Sequence, residues 1–371
     1  MSHPYSEQVL RTRLGPTALL LVALTACSAD APAEPRGATA PPSAPPSAPA
    51  AEPTGTGPGA GTDAEPGPDA GTDLPPVASP VSLPAVMREE ARGELGGSRL
   101  RRGEVLETTD AYTRSVVTYR SRGLTVSGVL LRPRGEGPFP GVVLNHGYIE
   151  PSAYSPGQGM AREQDHLARA GYVVLHTDYR GHAGSDPASD LDLESRLGYA
   201  RDAVTAVRSL AREPYVDDER LGMVGRSMGG GVTLSALVIA PGLVDAAVVH
   251  ASVSSDYVDN LRQFTEPGRP DEAAELYAEL GGPPETNPEP YRQLSPRTYL
   301  DRITEPVLAL HGELDETCPP PWADATQRAL TGAGVDARLE TYPDEGHTFY
   351  AGWRSMIERT DAFLTARMGA A

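Results

Sequence analysis

Lysine is absent from this chain of 371 residues; all 32 basic side chains are Arg. A Schiff-base lysine and a P-loop lysine are therefore excluded. Cysteine is nearly absent: Cys27 and Cys318 are too few for a disulfide framework or a Cys-based zinc site. The eight His show no HExxH or His-rich spacing, so no metal is expected. Positive charge is also scarce. The 32 Arg face 50 Asp and Glu, for a net charge of −18, which leaves no basic face for a phosphate backbone. Nucleic acid is not an expected partner.

The first 85 residues lack the apolar content of a folded domain, apart from one short run. Residues 1–26 read as a secretory signal. Arg11 and Arg13 precede an apolar stretch from Leu14 to Thr25, too short to span a bilayer comfortably. The stretch ends in Leu24-Thr25-Ala26-Cys27, which resembles the lipobox of bacterial lipoproteins. That resemblance implies cleavage before Cys27, acylation of Cys27, and an extracytoplasmic protein held at the cell membrane by its lipid. Residues 27–85 read as a disordered tether of Pro, Ala, Gly, Thr and Ser; 15 of the 37 prolines lie between Ala31 and Pro84. Large apolar side chains are too few there to offset the entropy of ordering. As a coil the tether spans about 40 Å.

Residues 86–371 carry the globular pattern. Val116–Tyr119 and Leu124–Leu131 flank Ser121-Arg122-Gly123 and predict an antiparallel hairpin. Six further strand runs begin at Gly141, Tyr172, Leu221, Ala246, Pro306 and Arg338. Helical stretches at 160–170, 193–212, 229–240, 322–333 and 352–367 separate most of them. Short buried strands alternating with helices predict a mostly parallel α/β sheet of eight strands, covered on both faces. Residues 256–302 interrupt the alternation as an insertion between strands six and seven, placed to cover a site.

Gly225-Arg226-Ser227-Met228-Gly229-Gly230 follows a buried strand and opens a helix. A GxSxG turn in that setting exposes the Ser hydroxyl in a strained conformation, with glycines where a Cβ would clash. Ser227 is the candidate nucleophile. A base should follow it in the chain after an acid. His347, in a loop between the last strand and the last helix, is the candidate base; His311 directly ends strand seven and is expected to pack locally. Asp315, four residues past strand seven, can orient the imidazole. Asp256, after strand six, is the alternative acid, while Glu313 and Glu316 read as solvated neighbours. Two backbone N–H groups should form an oxyanion hole: that of Met228, and one from the loop Asn145-His146-Gly147-Tyr148, taken as Tyr148. His146 reads as shaping this loop. Cys318 reads as a packed thiol. Arg180, His182 and Asp186, after strand four, either face the substrate or stabilise their own loop.

Asn145-His146-Gly147, Asp178-Tyr179-Arg180-Gly181-His182, the segment 225–230, Pro306–Gly312 with Asp315, and Gly346-His347 together resemble the α/β-hydrolase superfamily. More narrowly, they resemble the catalytic domain of prolyl-oligopeptidase (S9) and dienelactone-hydrolase-like enzymes, over most of 115–368. The resemblance implies the α/β-hydrolase fold, nucleophile Ser227, acid Asp315 and base His347, with no cofactor. Two departures stand out. Full-length S9 peptidases carry a β-propeller where this chain has its tether, and dienelactone hydrolases use Cys where this chain has Ser227. The expected activity is hydrolysis of a small peptide or ester through an acyl-enzyme. An S9-like peptidase, a carboxylesterase and a catalytically silent surface-binding lipoprotein are the three readings; an intact triad argues against the last.

Overall fold

The apolar runs become strands β1 (Arg101–Thr108), β2 (Tyr112–Ser121), β3 (Leu124–Pro133), β4 (Phe139–Asn145), β5 (Val173–Thr177), β6 (Val216–Arg226), β7 (Ala246–His250), β8 (Val307–Gly312) and β9 (Ala337–Tyr342). A computed structural model describes residues 74–369. The expected signal, Cys27 and most of the expected tether lie outside the described residues. The strands form one sheet in the order β1-β2-β3-β5-β4-β6-β7-β8-β9. β1, β2, β3 and β5 pair antiparallel in succession, and β5, β4, β6, β7, β8 and β9 pair parallel.

The sheet has nine strands rather than eight. β1 is the addition, and every one of its residues is exposed. An edge strand with neither face buried has no apolar alternation to announce it. The boundary expected at residue 86 also moves. Residues 74–85 fall within the expected tether, yet Val81 and Leu83 are buried in the core. The Ala78 amide donates to Gln293 Oε1 at 3.0 Å, and Ser82 caps α1 (Leu83–Ala91) by accepting from the Ala85 amide at 3.2 Å.

Helices α2 (Ala161–Arg169), α3 (Asp190–Ser195), α4 (Leu197–Leu210) and α5 (Met228–Ile239) follow in the first half. The stretch expected as one helix over 193–212 is two, broken at Arg196, whose φ is +60°. The insertion holds α6 (Tyr257–Asn260), α7 (Glu266–Gly268), α8 (Pro270–Glu279) and α9 (Pro288–Leu294). Helices α10 (Pro320–Gly332) and α11 (Trp353–Met368) complete the chain. No helix of the described residues is long and apolar enough to cross a membrane.

Strand alternation sorts the core into two layers. Val143, Met223 and Ala247 pack with α1, α4 and α5 on one face. Val142, Val224 and Val248 pack with α2 and α11 on the other. Burying both faces explains why these strands read as unbroken apolar runs. Register brings Asn145 level with both Thr177 and Gly225, and Arg226 level with His250. β4 has β5 on one side and β6 on the other, so the chain reverses its direction of travel there. Clefts in open α/β sheets form at the carboxyl ends of strands beside such a reversal.

Candidate active site

Ser227 stands between β6 and α5 with φ +56° and ψ −121°. A non-glycine residue rarely adopts this conformation, and tight packing holds it there. A Cβ on Gly225 would lie 2.2 Å from Gly229 O and 2.3 Å from Thr233 Oγ1. One on Gly229 would lie 1.9 Å from Asn145 O. Both positions therefore require glycine, which fixes the elbow against the end of β4.

His347, from the loop after β9, places Nε2 3.0 Å from Ser227 Oγ. Its Nδ1 lies 2.9 Å from Asp315 Oδ2. The carboxylate can only accept, so Nδ1–H donates and Nε2 is left to accept the Ser227 proton. Asp315 comes from the turn after β8 and its side chain is fully buried. Its Oδ1 accepts from the Thr317 and Cys318 amides at 2.9 and 2.8 Å. The turn thus aims Oδ2 at the imidazole.

The alternative acid does not reach this group. Asp256 caps α6, accepting from the Val258 amide at 3.0 Å, and lies 3.7 Å from Arg297. Glu313 accepts from Thr341 Oγ1 instead. His311 Nε2 donates to the Cys318 carbonyl at 2.8 Å, and burial lowers its pKa. Cys318 is buried, and its thiol is pushed up to about 12 by desolvation. A neutral thiol is a poor nucleophile and metal ligand. Cys318, Asp315 and His347 are close enough together to hold a metal ion, but Asp315 and His347 already bond each other, and His347 bonds Ser227.

The loop after β4 closes the other side. A Cβ on Gly147 would sit 3.1 Å from the Ser227 Cβ, so this backbone runs directly against the serine. Tyr148 lines the same cavity, with its ring half-exposed below the Arg269 guanidinium at 5.3 Å. Met228 opens α5, where the first helical amides have no intrahelical partner. His146 lies behind this loop. It is fully buried, stacked on Tyr154 at 4.8 Å and His176 at 5.4 Å, with burial lowering its pKa to about 4.

Arg180, His182 and Asp186 stabilise their own loop. The Arg180 guanidinium holds Asp202 through two bonds of 3.0 and 2.8 Å. His182 bonds the Arg180 and Ile149 carbonyls, and Asp186 accepts from the Thr125 amide. None of the three lines the cavity at Ser227.

That cavity measures about 440 Å³, and Ser227, Met228 and His347 form part of its wall. Met160, Val253 and Phe264 supply apolar surface; Arg196, Arg226 and Arg269 supply guanidinium groups, that of Arg269 paired with Glu194. Phe264 and Arg269 belong to the insertion, which therefore shapes the site. Sequence reasoning misses these flanking residues, since no local pattern announces convergence from separate segments.

The pattern of the prolyl oligopeptidase family matches residues 159–370. The chain belongs to this family. It is a serine hydrolase by that membership, with an α/β-hydrolase fold. The uncharacterized peptidase YtmA of Bacillus subtilis (strain 168) is 30% identical over 200 residues, 54% of this chain and 72% of that protein. Dipeptidyl-peptidase 5 of Porphyromonas gingivalis is 27% identical over 49% of this chain, but over only 26% of its own length. Acetyl xylan esterase 1 from a Thermoanaerobacterium species shares the fold at a TM-score of 0.58 and 21% identity, covering 76% of this chain and 92% of that one.

Proposed function

We propose that this serine hydrolase cleaves small ester or amide substrates through Ser227, His347 and Asp315. The observation that carries the reading is the unbroken line Ser227 Oγ–His347 Nε2–His347 Nδ1–Asp315 Oδ2, with contacts of 3.0 and 2.9 Å. Ser227 Oγ attacks the carbonyl carbon as its proton passes to His347 Nε2. The Met228 and Tyr148 N–H groups receive the negative charge that develops on the carbonyl oxygen. His347 then protonates the leaving group, and the C–O or C–N bond breaks to leave an acyl-serine. Water, deprotonated by His347, attacks this ester and releases the acid and free Ser227. Asp315 keeps the imidazole oriented and stabilises its charged form throughout. No step requires a cofactor.

Family membership favours a peptidase of the S9 type acting on short peptides. The cavity favours a substrate whose amino end is blocked. No Asp or Glu lines it among the described residues to pair with a free α-ammonium; Glu150, Glu194 and Glu272 border an adjoining cavity, where Glu194 is held by Arg269. The same absence supports a second reading, a carboxylesterase. An alkoxide leaves without the obligatory protonation of an amine, so any such triad hydrolyses activated esters. The deciding comparison uses esters and anilides of matched N-blocked acyl groups, with Ser227→Ala as control. Anilide cleavage within a few orders of magnitude of the ester, lost in Ser227→Ala, supports the peptidase. Ester turnover with no anilide cleavage across several acyl groups supports the esterase.

We also propose that Cys27 is acylated and anchors the enzyme outside the cytoplasm. The apolar stretch ending at Leu24-Thr25-Ala26-Cys27 supports this. Cys27→Ser should release the protein from the membrane fraction; continued retention would overturn the anchor.

A further inference from the structure

In a chain with 50 acidic and 32 basic residues, the wall around Ser227 inverts the balance. Three Arg line the cavity and, among the described residues, no Asp or Glu does. The three differ in what occupies them. Arg269 is neutralised by the buried Glu194, at 2.6 Å. Arg226 donates one bond, to Thr348 Oγ1 at 2.8 Å, and among the described residues has no carboxylate within ion-pair distance. The Arg196 guanidinium has neither a hydrogen-bond acceptor nor an ion-pair partner among them, although it also borders an adjoining cavity lined by Asp190, Glu194 and Glu272. Nearby guanidiniums are paired: Arg180 with Asp202, and Arg201 with Glu89.

The backbone at Arg196 is a second, independent observation. Its φ of +60° lies in the left-handed region, where a side chain with a Cβ is disfavoured. Gly or Asn would end α3 and begin α4 with less strain. Strain retained at a cavity wall is a mark of use. The half-buried guanidinium keeps five donors available to whatever fills the cavity.

We propose that the substrate's acyl part ends in a carboxylate, which Arg196 binds, with Arg226 adding to the positive field. A planar guanidinium matches a carboxylate with two parallel bonds. Met160, Val253 and Phe264 would enclose the aliphatic body between that carboxylate and the reacting carbonyl. The acyl group stays bound through both half-reactions, so an ionic anchor on that side serves both. This inference rests on Ser227 acting as the nucleophile, and its test separates the two claims.

The full chain is assayed with p-nitrophenyl hydrogen adipate and with its methyl ester, which share chain and leaving group but differ in charge. The expected wild-type kcat/KM favours the anionic ester by about tenfold to hundredfold, the effect of one charge-assisted pair. Arg196→Gln should bring the ratio to about one, and Arg196→Lys should recover part of it. Arg196→Gly should abolish the preference without lowering Tm, whereas a merely structural arginine would lower Tm on removal. Equal wild-type rates, or a fall in both rates alike in Arg196→Gln, overturn the proposal. Calorimetric binding of both esters to Ser227→Ala gives a readout free of turnover. If the wild type hydrolyses neither ester, the hydrolase reading fails for esters and this titration decides the carboxylate claim. Tighter binding of the anion, lost in the Ser227→Ala/Arg196→Gln double variant, sustains it; equal binding refutes it.

Discussion

Replacing Asp315 by Asn keeps the side chain's volume but removes its charge and turns one acceptor oxygen into an NH2 donor, and the bonds around it set the expected effect on catalysis. The Thr317 and Cys318 amides both donate to Oδ1, at 2.9 and 2.8 Å. In Asp315→Asn these two donors hold the amide oxygen, because turning the NH2 toward them would set donors against donors. The NH2 then faces His347 Nδ1, where the carboxylate had accepted a hydrogen bond at 2.9 Å. Nδ1 must now accept, so the ring proton moves to Nε2. An Nε2–H opposite Ser227 Oγ, at 3.0 Å, cannot take the serine proton. The expected loss in kcat is about 10⁴-fold, or about 5.5 kcal/mol of transition-state stabilisation. The assay is steady-state hydrolysis of a p-nitrophenyl ester at pH 7 to 8, with thermal unfolding by circular dichroism as a check on folding. Asp256→Asn, at the α6 cap, should leave kcat within a factor of about two. A folded Asp315→Asn variant within tenfold of wild type would refute the tautomer argument. A severe loss in Asp256→Asn alone would move the acid to that residue.

The packing leads to three more expected outcomes. Gly229→Ala drives a methyl group to 1.9 Å from the Asn145 carbonyl and should cost more than about 3 kcal/mol in urea unfolding; wild-type stability would show that the elbow is not fixed as described. Arg180→Ala leaves Asp202 buried without its guanidinium, for an expected loss of about 3–5 kcal/mol; an unchanged Tm would contradict it. Buried His146 and His250 have pKa values lowered by burial to about 4 and about 3, against about 6.5 unfolded. The unfolded chain therefore binds more protons in that window. The stability these groups contribute is present above about pH 6.5 and falls by about 1.4 kcal/mol per group per unit as pH drops toward 4. Urea midpoints between pH 7 and 4.5 measure this, and His250→Leu should flatten the slope; an unaltered slope would exclude His250 as a source.

Much of the site is legible in the sequence because its chemistry is local. The Ser227 elbow needs its glycines within four residues, and Asp315 and His347 each sit just past a strand that reads clearly. Chain order then limits which acid and base can meet the serine. The choice between Asp315 and Asp256 needs geometry, since both follow strands and only one turn points its carboxylate inward. β1 escapes a sequence reading because a wholly exposed edge strand carries no burial pattern. The break at Arg196 escapes it because no Gly, Asn or Pro marks the position. The folded region starts earlier than its composition suggests because Ser79, Val81 and Ser82 are packed individually within a Pro-rich stretch. Residues 160, 196, 226, 264 and 269 share one cavity only through tertiary contacts, which no periodicity encodes.

In the proposed mechanism Ser227 carries the reacting oxygen and His347 activates it. Labelling the full chain with a fluorophosphonate, then mapping the adduct by peptide mass spectrometry, tests both directly. One adduct is expected, on Ser227, absent in Ser227→Ala and formed far more slowly in His347→Ala. An adduct on another residue, or equal labelling of Ser227→Ala, would contradict it.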